Sequence, residues 1–313
     1  MSQPFVCTVR IYQKEVSQQD MYELNQIGER TYYINCPAKI GIYRVDDNNV
    51  YLIDSGSDKD AGRKIRKILD QNAWKLKGII NTHSNADHIG GNRYLQGQTG
   101  CRIFAKGIEA AFTRHTILEP AFLYGGYPCR DLRHKFLMAQ ESEVCEFNDE
   151  EFPKELSVLE LPGHFFDMIG VRTSDDVVFL ADCVSSKMTL EKYQISFIYD
   201  VEAYLKTLDY IEGLEASVFV PAHAEVCADV TELVKINRQK VYEIAEKIQI
   251  LLKEPMSFET LLKRLFDEYT LEMNFEQYVL VGSTVRSYLS WLKDRDEIDG
   301  TFQDNRLFWQ SVI

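Results

Sequence analysis

Four short apolar runs in this chain each lead to a side chain able to hold a metal ion, and that repetition constrains the fold more than any other feature. Residues 78–80 lead into Asn81-Thr82-His83-Ser84-Asn85-Ala86-Asp87-His88-Ile89-Gly90-Gly91-Asn92. Residues 157–161 lead into Pro162-Gly163-His164, residues 176–181 into Asp182, and residues 216–220 into Pro221-Ala222-His223. Runs of this length, rich in Val, Ile, Leu and Phe, read as buried strands. Sheets of α/β proteins place their sites in the crevice beyond the C-terminal ends of strands. The four ends are therefore expected to gather His83, Asn85, Asp87, His88, His164, Asp182 and His223 in one place. His115 and His134, the remaining two of six histidines, are expected on a surface or a helix face.

The stretch 81–92 reads as a strand-to-helix loop. A two-residue strand period turns His83 and Asn85 the same way, while Asp87 and His88 diverge around a turn. That arrangement suits two neighbouring cations. Gly90-Gly91 offers backbone conformations that other residues would strain. Imidazole and carboxylate are ordinary ligands for zinc, iron or manganese. Taken alone, such a hexamer is equally a polar loop that caps the next helix; the other three strand ends favour the metal reading.

Around this centre the pattern is α/β. Residues 8–12 and 31–35 carry strand-like alternation, and 42–45 with 50–53 read as a hairpin across Asp46-Asp47-Asn48-Asn49. The hairpin runs into Asp54-Ser55-Gly56, where Asp54 is either a turn-forming aspartate or a group that orients a ligand histidine. Helical spacing follows over 61–71, and a strand over 101–105. Residues 106–147 break the rhythm, with helical periodicity over 108–118 and then an aromatic, glycine-rich bend. This is read as an insertion or lid, whose Phe122, Tyr124 and Tyr127 either line a pocket or pack the insertion onto the domain.

From residue 236 the sheet pattern stops. Helical periodicity over 241–253, 257–269 and 275–293 is followed by hairpin-like segments 297–302 and 305–309. Three helices and a hairpin point to a winged-helix-like domain over 236–313, after a first domain over 1–235. The helix that would enter a DNA groove carries only Arg286 and Lys293 as basic side chains, which favours protein contact, including self-association, over DNA. The net charge of −13 agrees, and neither half is basic: 25 basic against 35 acidic residues precede Ile236, and 10 against 13 follow. Seven scattered cysteines without a Cys-x-x-Cys pair are expected to be reduced and mostly buried. No apolar run approaches a membrane span and the first ten residues lack signal-peptide character, so a cytoplasmic location is expected.

The ordered set of motifs resembles the metallo-β-lactamase-fold superfamily, whose signature is His-x-His-x-Asp-His followed by a His, an Asp and a His, each after a strand. The resemblance covers roughly residues 30–235 and includes Asp54-Ser55-Gly56. It implies an αβ/βα four-layer sandwich with a two-metal crevice at the edge of its layers. One site would use His83, residue 85 and His164; the other Asp87, His88 and His223; Asp182 would bridge. Asn85 departs from the family's second histidine, and a neutral amide offers only a weak carbonyl oxygen. Three outcomes follow: two ions with Asn85 as ligand or outer partner, one ion at the Asp87 site, or an inactive remnant. The resemblance implies a hydrolase using metal-activated water, with one or two divalent ions, zinc first and iron or manganese next. Thioester, lactone, β-lactam and phosphodiester hydrolysis all fit such a site, and the acidic chain and missing secretion signal leave a small ester or thioester by elimination. Asp87 and Asp182 would position the nucleophile. The competing reading is a non-catalytic metal- or ligand-binding protein whose C-terminal domain docks a partner; a phosphodiesterase or nuclease ranks lower on charge.

Overall fold

The computed structural model describes residues 21–147 and 152–312. The strand expected at 8–12 and Cys7 lie outside the described residues. Two sheets face each other. The larger contains β1 (Glu23–Gln26), β2 (Thr31–Asn35), β3 (Ile40–Arg44), β4 (Asn49–Ile53), β5 (Lys75–Ile80), β6 (Arg102–Ala105) and β7 (Cys145–Glu146), in chain order. Pairing is antiparallel as far as β4 and parallel from β4 to β7. The change comes where hairpins give way to crossovers, which parallel strands require: α1 (Lys59–Gln71) joins β4 to β5, and α2 (Ala86–Ile89) with α3 (Asn92–Thr99) joins β5 to β6. The smaller sheet is made of β8 (Ser157–Glu160), β9 (Ile169–Arg172), β10 (Val177–Ser185) and β11 (Val218–His223), in the order β11-β10-β9-β8. Its single parallel pair, β10 with β11, spans α6 (Lys187–Tyr193) and α7 (Val201–Glu212).

Side-chain alternation sorts the strands into layers. In β4, Val50 and Leu52 join the cluster of Ile65 and Leu69 on α1 and Leu95 on α3, while Ile53 joins the cluster between the sheets. In β10, Val177 and Phe179 belong to the inter-sheet cluster, and Val178 and Leu180 to the one beneath α7. Helices, sheet, sheet and helices thus form the expected αβ/βα sandwich, with a helical C-terminal region. That region holds α8 (Thr231–Leu251), α9 (Phe258–Glu268), α10 (Phe275–Asp294) and the hairpin of β12 (Ile298–Gln303) and β13 (Arg306–Ser311).

Three details differ from the sequence reading. First, α8 begins at Thr231 rather than near 241, because Asn237 serves on its inner face in place of an apolar residue: its amide bonds both the N–H and the carbonyl of Ser185 at the end of β10. The boundary placed at 235/236 falls inside this helix, and one apolar cluster runs from Val178 and Leu208 through Val241 to Leu265 and Val285. Second, the helical run of the insertion is split into α4 (Gly107–Arg114) and α5 (Leu118–Tyr124). The run read over 108–118 stops at Arg114, and α5 starts afresh at Leu118 with Pro120 in its first turn, where its missing N–H costs no helical bond. Phe122 packs inward among Phe112, Phe165 and Phe166, whereas Tyr124 and Tyr127 are exposed. Third, of the six described cysteines, all unpaired, Cys101 and Cys183 are buried and the other four are partly so. Among the described residues no helix is long and apolar enough to cross a membrane.

Candidate metal centre

The seven residues singled out in the sequence lie together. β5 ends at Ile80, and the following loop carries His83 and then Asn85 at the N-cap of α2, which holds Asp87 and His88. A backbone bond from Ile169 N–H to the Thr82 carbonyl, 2.9 Å, ties this loop to the opposite sheet. Gly90 and Gly91 have ordinary helical φ angles, so they do not relieve strain as expected. They permit close approach instead: a Cβ on Gly90 would lie 2.2 Å from the Ser57 carbonyl carbon, and one on Gly91 2.3 Å from the Ser55 carbonyl oxygen. His164 follows β8 through Gly163, whose φ of +121° suits glycine, and where a Cβ would lie 2.2 Å from the Tyr204 nitrogen. Asp182 sits inside β10 rather than after it, between the register shifts at Ala181 and Ser185 that break the ladder with β11. His223 is the last residue of β11.

Two groups of three donors result: His83, His164 and Asp182, and Asp87, His88 and His223. Each group draws on both sheets. Asp182 stands between them, its Oδ1 3.1 Å from His88 Nε2 and its Oδ2 3.2 Å from His223 Nε2 and 3.6 Å from His164 Nε2. Asp87 Oδ2 lies 3.5 Å from His223 Nε2 and opens towards solvent, its side chain 45% exposed. The imidazoles of His83 and His88 have centroids 4.1 Å apart.

Outward bonds orient the rings. Asp54, at φ +65°, accepts from Thr82 N–H at 2.8 Å, from the Thr82 hydroxyl at 2.7 Å and from His88 Nδ1 at 2.8 Å. The Thr82 oxygen in turn stands 3.0 Å from His83 Nδ1, and the Pro37 carbonyl 3.0 Å from His223 Nδ1. With Nδ1 so engaged, the Nε2 of each of these rings is the nitrogen turned to the crevice, the one left to a metal ion. Asp54 is therefore an orienting group, one of the two roles considered for it.

The charges are strongly coupled. Burial opposes a proton on His88, yet Asp182, Asp87 and Asp54 outweigh it and raise its imidazole well above its ordinary range. The same contest, dominated on the raising side by Asp182, brings His223 up to about 10. His83 goes the other way, pushed well below its ordinary range by burial and by His88. Burial favours protonated Asp182, but the imidazoles of His223 and His88 win; Asp87, beside His88 and His223, is likewise held low. His83 Nε2, His88 Nε2 and Asp182 Oδ1 are buried and make no well-directed hydrogen bond, the 3.1 Å approach of the last two included. Orphaned polar atoms are rare in folded proteins. Three of them converging with other imidazoles and carboxylates is what a cation-binding donor set requires, so the residues present fit divalent ions.

Two carboxylates that the sequence reading passed over support the loop from the insertion. Glu109 on α4 is fully buried and accepts from Ser84 N–H at 2.9 Å, from the Ser84 hydroxyl and from Asp167 N–H at 2.9 Å. Glu119 on α5, 5% exposed, accepts from Asn85 Nδ2 at 2.8 Å. Burial pushes Glu109 up to about 7 and Glu119 well above the usual carboxylate range. His115 is exposed and His134 pairs at 4.0 Å with Glu276, both outside this cluster.

Comparison with known proteins agrees with this architecture. The family description "Metallo-beta-lactamase superfamily" matches residues 35–223. A hydroxyacylglutathione hydrolase of Methylococcus capsulatus (strain Bath) is 36% identical over 80 residues, covering 23% of this chain and 30% of that protein. One from Rhodopseudomonas palustris (strain BisB18) is 30% identical over 158 residues, covering 48% and 53%. The chain thus spans about half, or less, of the length of these relatives. A beta-lactamase domain protein from Burkholderia ambifaria has the same fold over nearly the whole chain, with a TM-score of 0.70 at 15% identity, covering 93% of this chain and 94% of that structure. With its matched segment exceeding half its length, the chain belongs to the metallo-beta-lactamase superfamily.

Proposed function

We propose that this protein is a metal-dependent hydrolase of small thioesters or related esters. The observation that carries the reading is the pair of three-donor groups with Asp182 between them. His83, Asn85 and His164 would hold one ion, Asp87, His88 and His223 the other, and Asp182 both. Zinc suits this imidazole–carboxylate set best, with iron and manganese as alternatives. Divalent ions, when bound, supply Lewis acidity and a water acidic enough to act as nucleophile near neutral pH. The protein's own residues do the rest. Asp54 holds the ring of His88 and, through Thr82, that of His83. Asp182 and Asp87, held low by the imidazoles around them, stay ionised at neutral pH and are ready to orient a water proton. Asp87 is the more exposed of the two and faces the open side, where substrate would enter.

The choice of thioester rests on the name of the two relatives, hydroxyacylglutathione hydrolase, together with the acidic charge of the chain, which disfavours a polyanionic substrate. A C-terminal module of winged-helix type, used for protein contact, is consistent with the three helices and hairpin and with the two basic residues of α10, Arg286 and Lys293. The test combines metal content with turnover on ester, thioester and phosphodiester substrates, for the wild type, His88→Ala and Asp182→Ala. The expected result is bound metal and thioester turnover in the wild type, with turnover lost and metal content reduced in the variants. Wild-type metal occupancy in both variants would sink the ligand assignment. Asn85 favours a second reading, a non-catalytic metal-binding protein, and metal-replete wild type that turns over nothing in the panel would support that instead.

A further inference from the structure

The two ends of an asparagine amide are nearly the same shape but opposite in chemistry. One end accepts through oxygen, and the other donates through nitrogen and has no lone pair for a cation. Which end faces a metal position is therefore decided by what the other end meets. Here Asn85 Nδ2 meets Glu119 Oε1 at 2.8 Å, and Asn85 Oδ1 faces His164 Nε2 at 3.2 Å. Glu119 is buried on α5, so its link to Asn85 is shielded from water. A second observation points the same way. Asn85 is the N-cap of α2, a place where an asparagine oxygen ordinarily accepts from the helix's first N–H groups, yet it makes no such bond. The side chain has left the capping role and turned towards the first donor group.

We propose that Glu119 is a positioning residue for the first metal position. By accepting from Asn85 Nδ2 it keeps Asn85 Oδ1, the one atom of that side chain able to bind a cation, directed at the position framed by His83, His164 and Asp182. The inference rests on the metal-binding reading above. It also gives the insertion a task, since α5 brings a residue from beyond the strand-end motifs to complete the first position.

The test is metal stoichiometry and affinity, by competition with a chromogenic zinc chelator, for the wild type, Glu119→Gln and Glu119→Leu, with no reliance on turnover. Glutamine keeps a carbonyl acceptor for Asn85 and leucine does not. Wild type and Glu119→Gln are expected to bind two zinc ions with matching affinities. Glu119→Leu is expected to bind one ion as the wild type does and the other roughly 10–100-fold more weakly, the usual cost of losing a partner that orients a ligand. The ion held by Asp87, His88 and His223 reports within the same molecule that the variant is folded. Asn85→His placed on Glu119→Leu is expected to restore the second ion, because a histidine brings its own donor nitrogen. Two ions of wild-type affinity in Glu119→Leu, or equal losses in the glutamine and leucine variants, would overturn the proposal while leaving the metal reading intact. Wild type that binds a single ion would overturn it as well, and wild type that binds none would remove the metal reading beneath it.

Discussion

Asp54 and Glu109 show how single residues support the centre without belonging to its ligand groups. Asp54 directs both oxygens to Thr82 and His88 from a left-handed backbone conformation, one that aspartate tolerates better than most residues. Glu109 ties Ser84, in the metal loop, to Asp167, in the loop after His164. Its burial has a sign that can be measured. In the unfolded chain its carboxyl ionises near 4.5, but in the folded protein only near 7. Between those values the folded state binds more protons, so stability contributed by this group falls as pH rises. Glu109→Gln is expected to remove about 2–3 kcal/mol of the stability difference between pH 5 and pH 7.5, read from denaturant unfolding at each pH; parallel pH profiles for the two proteins would refute it. The gathering of the histidines and aspartates was legible in the sequence because few residue types bind metals and each motif followed a short apolar run. Glu109 and Glu119 were not, since an acidic residue in an amphipathic helix looks like part of a solvated face until packing buries it.

At the scale of elements, the strands were the readable part. Residues 31–35, the hairpin around 46–49 and the apolar runs before His83, His164 and His223 all match strands, because period-two alternation and short apolar runs have few other uses. The placement of Asp182 inside β10 was hidden, since a carboxylate after an apolar run reads as the end of a strand, whereas Cys183 and Val184 continue this one. So was the split between α4 and α5, since the helical spacing of 108–118 runs across the break at 115–117. The turn at Gly163 carries a further expectation. Its carbonyl accepts from Tyr199 N–H at 3.0 Å and Asp200 N–H at 2.9 Å, while its Cα faces the first turn of α7 with no room for a methyl group. Gly163→Ala is expected to cost at least about 2 kcal/mol, combining left-handed strain with the clash, and to shift His164 away from Asp182. Thermal unfolding together with metal titration checks this, and a variant with wild-type values of both would show that the turn has slack.

Across the whole molecule, the four strand ends led to the expectation of one crevice, and the two facing sheets were expected from the resemblance that the ordered motifs carry. It did not reveal that α8, α9 and α10 share an apolar cluster with the smaller sheet. An amphipathic helix announces that it has a face to bury, not against what. The division of the donor groups between the sheets has a mechanical consequence. His83, Asp87 and His88 hang from the larger sheet and His164, Asp182 and His223 from the smaller, so each ion would act as a removable staple across the mouth of the sandwich. Ligands that bind only the folded state stabilise it by mass action, about 4 kcal/mol for each ion at a thousandfold excess over its Kd. Chelation is therefore expected to lower the melting temperature in steps that follow metal loss, as scanning calorimetry at graded chelator would record, and identical melting of stripped and loaded protein would exclude it. If the staple holds, the metal supply around this protein sets how long its two halves stay closed, and scarcity would shorten the lifetime of the fold itself.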